Sequence, residues 1–256
     1  MIGRYRVALG ETQMDSLDDN LLILDVQYPP LRINRQTAET AGLDGLEVSH
    51  ESLQQRTVVV TFELHIYDIA KRNAACQKIN DWAAAGGILR TNDREGQYLQ
   101  VACDQFAEIQ SAKNWTKPLT LIFGTRENPY WISETQKTVT LAGKSAKGNI
   151  SMDGNVKSAK VSVTATAQET VKSFQVTVGD TKIKITGISL SAGQKLIIDY
   201  QKDRYLRIRA AGKDAMSKMD ASSSDLLLAP CGQKTAVGFT AGGRMTVVFN
   251  AKGMWR

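Results

Sequence analysis

The sequence predicts a mainly β protein: an N-terminal β-rich domain with one α-helix packed on a sheet, then a C-terminal β-sandwich. Three observations carry that reading. Short strand-like runs, separated by Gly, Ser, Asn or Asp, recur every ~8–12 residues beyond Thr138, the spacing of sandwiches and barrels. A single stretch, Asp68 to about Ala85, has helical apolar spacing. The charge changes sign part-way: residues 1–133 hold 13 Lys+Arg against 17 Asp+Glu, and residues 134–256 hold 19 against 9, giving −4 and +10 within the overall +6. Two compositions joined end to end imply two domains, 1–133 and 134–256.

In the first half, Thr57–Tyr67 (TVVVTFELHIY) is the strongest strand. Val58, Val60, Phe62, Leu64 and Ile66 share one face by period-two alternation, and Thr57, Thr61, Glu63 and His65 the other. Asp68 caps the helix that follows, and Gly86-Gly87 stops it. Ile69, Cys76, Ile79 and Ala83 form its apolar stripe, widened by Ala75 and Trp82, with Lys71, Arg72, Lys78 and Asp81 elsewhere. Ile88–Thr91 and Gln97–Cys103 then flank the turn Asn92–Gly96 as a hairpin. Leu119–Phe123 is a further strand. Asn128-Pro129-Tyr130-Trp131 is an exit turn, because Pro129 forces Asn128 out of helical geometry.

In the second half the expected strands are Thr138–Leu141, Lys160–Ala165, Ser173–Val178, Thr181–Ile185, Lys195–Asp199, Tyr205–Ala210 and Met245–Asn250. Gly179-Asp180 joins the third and fourth as a tight hairpin. A helical turn is expected near Ser224–Leu228, and Gly212–Ser224 is a poorly patterned, insertion-like stretch.

Candidate chemistry is sparse. The three cysteines, Cys76, Cys103 and Cys231, lie far apart in no metal or redox spacing, and only His50 and His65 could join them at a metal. The expectation is no metal, no cofactor and no disulfide framework. His65 lies on a mixed strand face without a Cys, Asp or Ser partner nearby in sequence, which favours a solvated or neighbour-bonded imidazole. Ser49-His50-Glu51 are consecutive, and adjacent residues on a strand point apart. No GxSxG elbow and no HExxH helix occur. The expectation is no enzyme and no catalytic residue. No apolar run reaches the ~20 residues of a spanning helix, so no membrane insertion is expected. Met1–Arg6 lacks the apolar core of a secretory signal, which implies synthesis and folding in a cytoplasm.

Two surface readings remain open. Lys182 and Lys184 alternate with Ile183 and Ile185, and Tyr205 shares a face with Arg207 and Arg209. Basic residues interleaved with an aromatic suit single-stranded nucleic acid or an anionic glycan; solvent-facing and edge strands carry lysine for solubility alone. Tyr200, Tyr205 and Trp255 are the aromatics available for a sugar groove, with Trp255 better placed to pack on the last strand.

The order of motifs supplies a further reading. A Gly-x-Asp-Gly turn (Gly42–Gly45), the strand Val58–Ile66, the capped helix with Trp82, a Tyr98-bearing hairpin and Asn-Pro-Tyr-Trp at 128–131 precede a basic β half. This series resembles the distal tail protein (Dit) family of long-tailed bacteriophages and their prophages, from about Leu24 to Arg256. Asn128 stands where that family commonly has aspartate, and Leu43 where a charged residue is usual. The resemblance implies a C-terminal galectin-like β-sandwich projecting from a ring built by the N-terminal domains, a hexamer at the tail tip. It implies the tail tube protein on one side of the ring, the tail-tip hub protein on the other, DNA passing through as cargo, and a place in the virion. A carbohydrate-binding adhesion protein acting on host-surface sugar through the sandwich is the alternative.

Overall fold

A computed structural model describes residues 5–38, 47–109, 117–201 and 205–256. The chain divides into two compact units, Met1–Trp131 and Ile132–Arg256. Both are antiparallel β structures, and among the described residues a single α-helix lies in the first.

The strands of the first unit are β1 (Val7–Leu9), β2 (Thr12–Gln13), β3 (Leu21–Gln27), β4 (Ile33–Ala38), β5 (Glu47–Leu53), β6 (Thr57–Leu64), β7 (Gly87–Thr91), β8 (Gln97–Gln105) and β9 (Leu119–Thr125). Hydrogen bonding orders them β3-β6-β9-β8-β7-β1-β2, while β4 and β5 form a separate pair among the described residues. β6 shows why its alternation was legible: Val58, Val60, Phe62 and Leu64 are all buried, and the residues between them are half-exposed. The strand ends at Leu64, so His65 and Ile66 lie beyond it.

Helix α1 (Ile69–Ala84) starts where Asp68 accepts a hydrogen bond from the Lys71 N–H at 3.0 Å, and stops before Gly86 at φ +60. It rests on the sheet through Ala75, Cys76, Ile79 and Ala83, with the Trp82 ring edge-on to Phe123 at 6.1 Å. Two expectations about this helix fail. Ile69 is exposed, and Arg72 is buried at 3%. Arg72 lies at the helical spacing of Ala75, Cys76, Ile79 and Ala83, so the buried stripe begins at Arg72, three residues after Ile69, and includes a charged side chain. The Gly42–Gly45 turn lies outside the described residues.

The second unit contains β10 (Trp131–Ser151, beginning on the last residue of the first unit), β11 (Ala159–Ala167), β12 (Val171–Val178), β13 (Thr181–Leu190), β14 (Lys195–Gln201), β15 (Tyr205–Ala210), β16 (Lys213–Asp214), β17 (Leu228–Ala229) and β18 (Lys234–Trp255). β18 is the spine. Its first part, Val237–Ala241, pairs with β12, and its second, Met245–Ala251, pairs with β11. One sheet thus runs β13-β12-β18 and another β18-β11-β14-β15-β16, with β10 alongside β18. Every second residue of β11 is buried, from Ala159 to Ala167, and these meet Phe174, Ile185, Leu196, Ile208, Phe239 and Phe249 in one core.

The stretch Gly212–Ser224 is ordered and purposeful. β15 and β16 form a two-residue hairpin over Ala211 (φ +48) and Gly212 (φ +80). The chain then lies along the open side of β13. Lys182 and Lys184 donate their backbone N–H groups to Ser224 and Ser223 at 3.0 Å, and their carbonyls accept from Ser224 and Asp220 at 2.7 and 2.8 Å. The helical turn expected near Ser224–Leu228 is absent there; the segment is extended and ends in β17, because it serves as a border for strands. A short 3-10 turn occurs instead at Met216–Lys218.

Ala211 occupies a backbone region that costs an L-residue roughly 1–2 kcal/mol. Ala211→Gly should therefore stabilise the protein by up to about 1 kcal/mol, whereas Phe249→Ala, at 0% exposure, should cost about 3–5 kcal/mol. Urea unfolding read by tryptophan fluorescence and circular dichroism checks both, and equal midpoints would contradict the packing described.

Candidate functional site

The described residues contain no group of three or more His, Cys, Asp or Glu placed to hold a metal. The three cysteines are free thiols, each with its ionisation pushed up by burial, which makes them poor nucleophiles. His65 is exposed with Nε2 3.3 Å from Glu63, the neighbour-bonded state. His50 lies on β5 opposite Gln36, and Glu51 opposite Arg35, with which it pairs at 3.4 Å. What the structure offers is surface.

That surface differs between the units. Of nine exposed large hydrophobic side chains among the described residues, eight belong to the first: Leu24, Ile33, Val48, Tyr67, Ile69, Ile88, Phe106 and Ile109. Ile33 and Val48 are 47% and 49% exposed on the separate β4–β5 hairpin, and Leu24 sits at a bulge on β3, an edge strand paired among the described residues with β6. An isolated two-stranded hairpin is marginal in water on its own. Apolar side chains on such a hairpin, and on an open edge strand, are the usual equipment of an assembly surface.

The exit turn is a rigid end to this unit. Asn128 Oδ1 accepts from the Tyr130 N–H at 3.0 Å, and the Pro129 carbonyl accepts from Arg56 Nε at 2.8 Å. Trp131 is fully buried, with Tyr28 edge-on at 5.3 Å and the Arg94 guanidinium 5.5 Å from its centroid. Tyr28 Oη donates to Asp93 at 2.7 Å and lies 2.8 Å from the Thr91 hydroxyl. Burial pushes the Tyr28 ionisation far above the ordinary tyrosine value, with Asp93 adding to it. Local sequence does not point to Tyr28 or Arg56, whose partners are 63–73 residues away, beyond any local pattern.

In the second unit the basic strands prove largely committed. Lys184 pairs with Asp220 at 3.3 Å, and both lysines of β13 border the covered edge. Ser222, through its backbone N–H and hydroxyl, holds Asp220 at a pKa of about 2, with Lys184 assisting. Arg207 grips Asp199 with two bonds, Nε to Oδ1 at 2.8 Å and Nη2 to Oδ2 at 2.9 Å, and Arg209 adds Nη2 to Oδ2 at 2.9 Å. Those bonds, Arg207's first, draw the Asp199 pKa down against the opposing effect of burial.

Of the three proposed sugar aromatics, Tyr200 is a structural anchor. Its hydroxyl accepts from the Leu227 N–H at 2.9 Å and reaches the carbonyls of Leu227 and Val161; burial raises its pKa to about 12. Trp255 is half-buried at the end of β18, against Gly253. Tyr205 stands out at 66% exposure, on the face of Arg207 and Arg209. Arg204 lies outside the described residues.

No family model matches the sequence, and no curated protein matches it. Solved structures do. The Dit protein (gp 19.1) of phage SPP1, described as a paradigm of the hub adsorption apparatus in phages infecting Gram-positive bacteria, aligns with 98% of this chain and 99% of its own at a TM-score of 0.70 and 14% identity. The chain has the fold of SPP1 Dit. A chain of the phage P2 baseplate in its activated conformation with Ca aligns with 99% of this chain and 98% of its own, at a TM-score of 0.50 and 10% identity. The Dit alignment runs through both units, so the likeness extends to the order of elements from end to end.

A carboxylate with a depressed folded pKa adds stability above its unfolded value, near pH 4, and loses it as pH falls. Asp199→Asn should accordingly flatten the acid side of the stability curve below about pH 4. Tyr200→Phe, which strips Leu227 N–H of its acceptor, should cost about 1–3 kcal/mol at neutral pH. Thermal melts from about pH 2 to 7 read both effects, and parallel curves for wild type and Asp199→Asn would contradict the first.

Proposed function

We propose that this chain is a distal tail protein, a structural component at the tail tip of a long-tailed bacteriophage or prophage. The observation that carries the reading is end-to-end agreement with the SPP1 Dit fold. The local physics supports it, since exposed apolar side chains concentrate in the first unit, among them Leu24 on the edge strand β3 and Ile33 and Val48 on the β4–β5 hairpin. On this reading the first unit forms a closed ring, a hexamer, joined by edge and hairpin contacts between neighbours. The tail tube protein meets one side of the ring and the tail-tip hub protein the other, with DNA crossing the centre as cargo. The second unit projects from it as a galectin-like sandwich. The protein then works in the virion by shape and self-association, without turning over a substrate.

Exposed Tyr205 beside the arginine pair favours a second role for the projecting unit, contact with host-surface carbohydrate.

Self-association tests the main reading. Sedimentation of the full chain at tens of micromolar, an ordinary interface range, should give a closed oligomer, six copies. Ile33→Asp/Val48→Asp on the β4–β5 hairpin should shift it to smaller species, since a charge replaces half-exposed apolar surface. A wild-type chain that stays monomeric throughout, or that hydrolyses cell-wall material, would count decisively against a ring connector.

A further inference from the structure

The second unit presents a cationic sheet face with one aromatic platform. On β14 and β15, alternation puts Lys195, Asp199, Tyr205, Arg207 and Arg209 on the side opposite the buried Leu196 and Ile208. Three of those five are cations and one is an anion. The whole unit carries 19 Lys+Arg against 9 Asp+Glu, an excess of +10. Asp199 neutralises one arginine charge and fixes both forks in place. Arg207 and Arg209 keep Nη1 groups with no bond to the protein among the described residues, and Arg209 Nε is buried without a partner. Tyr205, next on the strand face, is the exposed large aromatic of the unit at 66%.

Resting on the carbohydrate-contact reading above, we propose that this face binds an acidic polysaccharide. Tyr205 stacks on a sugar ring, the free Arg207 and Arg209 N–H groups hold an anionic substituent, and sugar hydroxyls donate to Asp199. The central carboxylate decides between polyanions. It repels the closely spaced phosphates of a single-stranded nucleic acid, whereas a saccharide alternates acid groups with hydroxyl donors that a carboxylate accepts. Net positive charge around it attracts the polymer over a longer range.

The test uses the full-length protein and immobilised polymers: polygalacturonate as the carboxylate probe, phosphomannan as the phosphate probe, neutral dextran, polyglutamate and oligothymidylate. Saturable binding to at least one acidic polysaccharide is expected, weakened about tenfold or more, ~1.4 kcal/mol, in Tyr205→Ala and in Arg207→Gln. Tyr205 is exposed, so its variant tests the site even if Arg207→Gln, which loosens Asp199, folds poorly. Equal binding to polyglutamate or oligothymidylate, or undiminished binding by Tyr205→Ala, would reduce the effect to general charge attraction and overturn the proposal. Binding to dextran alone, lost in Tyr205→Ala, would overturn the acidic specificity and leave the carbohydrate reading standing. Binding to no saccharide at all would remove both.

Discussion

Backbone pairing along β18 is the constraint on which the second unit depends. One 22-residue strand supplies hydrogen-bond partners to β12 over its first part and to β11 over its second, so a single segment is common to two sheets. The handover falls at Gly242-Gly243. A side chain at Gly243 would run into the Thr170 carbonyl and Val171, and one at Gly242 into Ser173, which is where the chain enters β12. The glycines matter here through close backbone approach rather than through an unusual φ. β10 follows β18 over much of its length, with Thr138 bonded to Asn250 and Ser145 to Thr240. Loss of register in β18 would therefore disturb both sheets and β10 together.

The two units treat their edges differently. In the second, β13 is an edge strand whose Lys182 and Lys184 backbone N–H and C=O groups are taken up by Asp220, Ser223 and Ser224, which caps that part of the edge. In the first, β3 is bonded on one side only among the described residues, and the β4–β5 hairpin pairs with no further strand. Among the described residues, eight exposed large hydrophobic side chains accompany that openness, against Tyr205 in the second. An open strand edge templates pairing with another chain and clustered exposed apolar groups mark interaction surfaces, and the first unit carries both.

What the sequence disclosed followed local period. β6, α1 and the β12–β13 hairpin were legible because each alternates or repeats within its own span and is bounded by Asp68, Gly86 or Gly179-Asp180. β10 was read as Thr138–Leu141 and is 21 residues long. Its middle carries Thr, Lys, Ser and Gly with most side chains half-exposed or exposed, so no apolar rhythm betrays it. The first part of β18 escaped for a related reason, as Gly238, Gly242 and Gly243 read locally as breaks. The charge of Arg72 argues for water, yet its position falls at the helical spacing of the buried Ala75, Cys76, Ile79 and Ala83 and it is buried with them.

Tyr200 and Tyr205 show how register, rather than residue type, assigns a role. They lie on the two strands of one hairpin, with Tyr205 opposite Gln201 and Tyr200 opposite Leu206. One step of pleat separates the faces of Tyr200 and Gln201, and it places Tyr200 inward and Tyr205 outward. Tyr200 then finds Leu227, 27 residues on, and its hydroxyl is used in holding that segment to the sheet. Tyr205 finds no such segment and remains in water beside Arg207. Asp199, directly opposite Arg207, converts a basic strand into a fixed Arg–Asp–Arg array. A basic stripe in sequence thus becomes a built polar surface in three dimensions, with an orientation that free lysines on flexible stems would not hold.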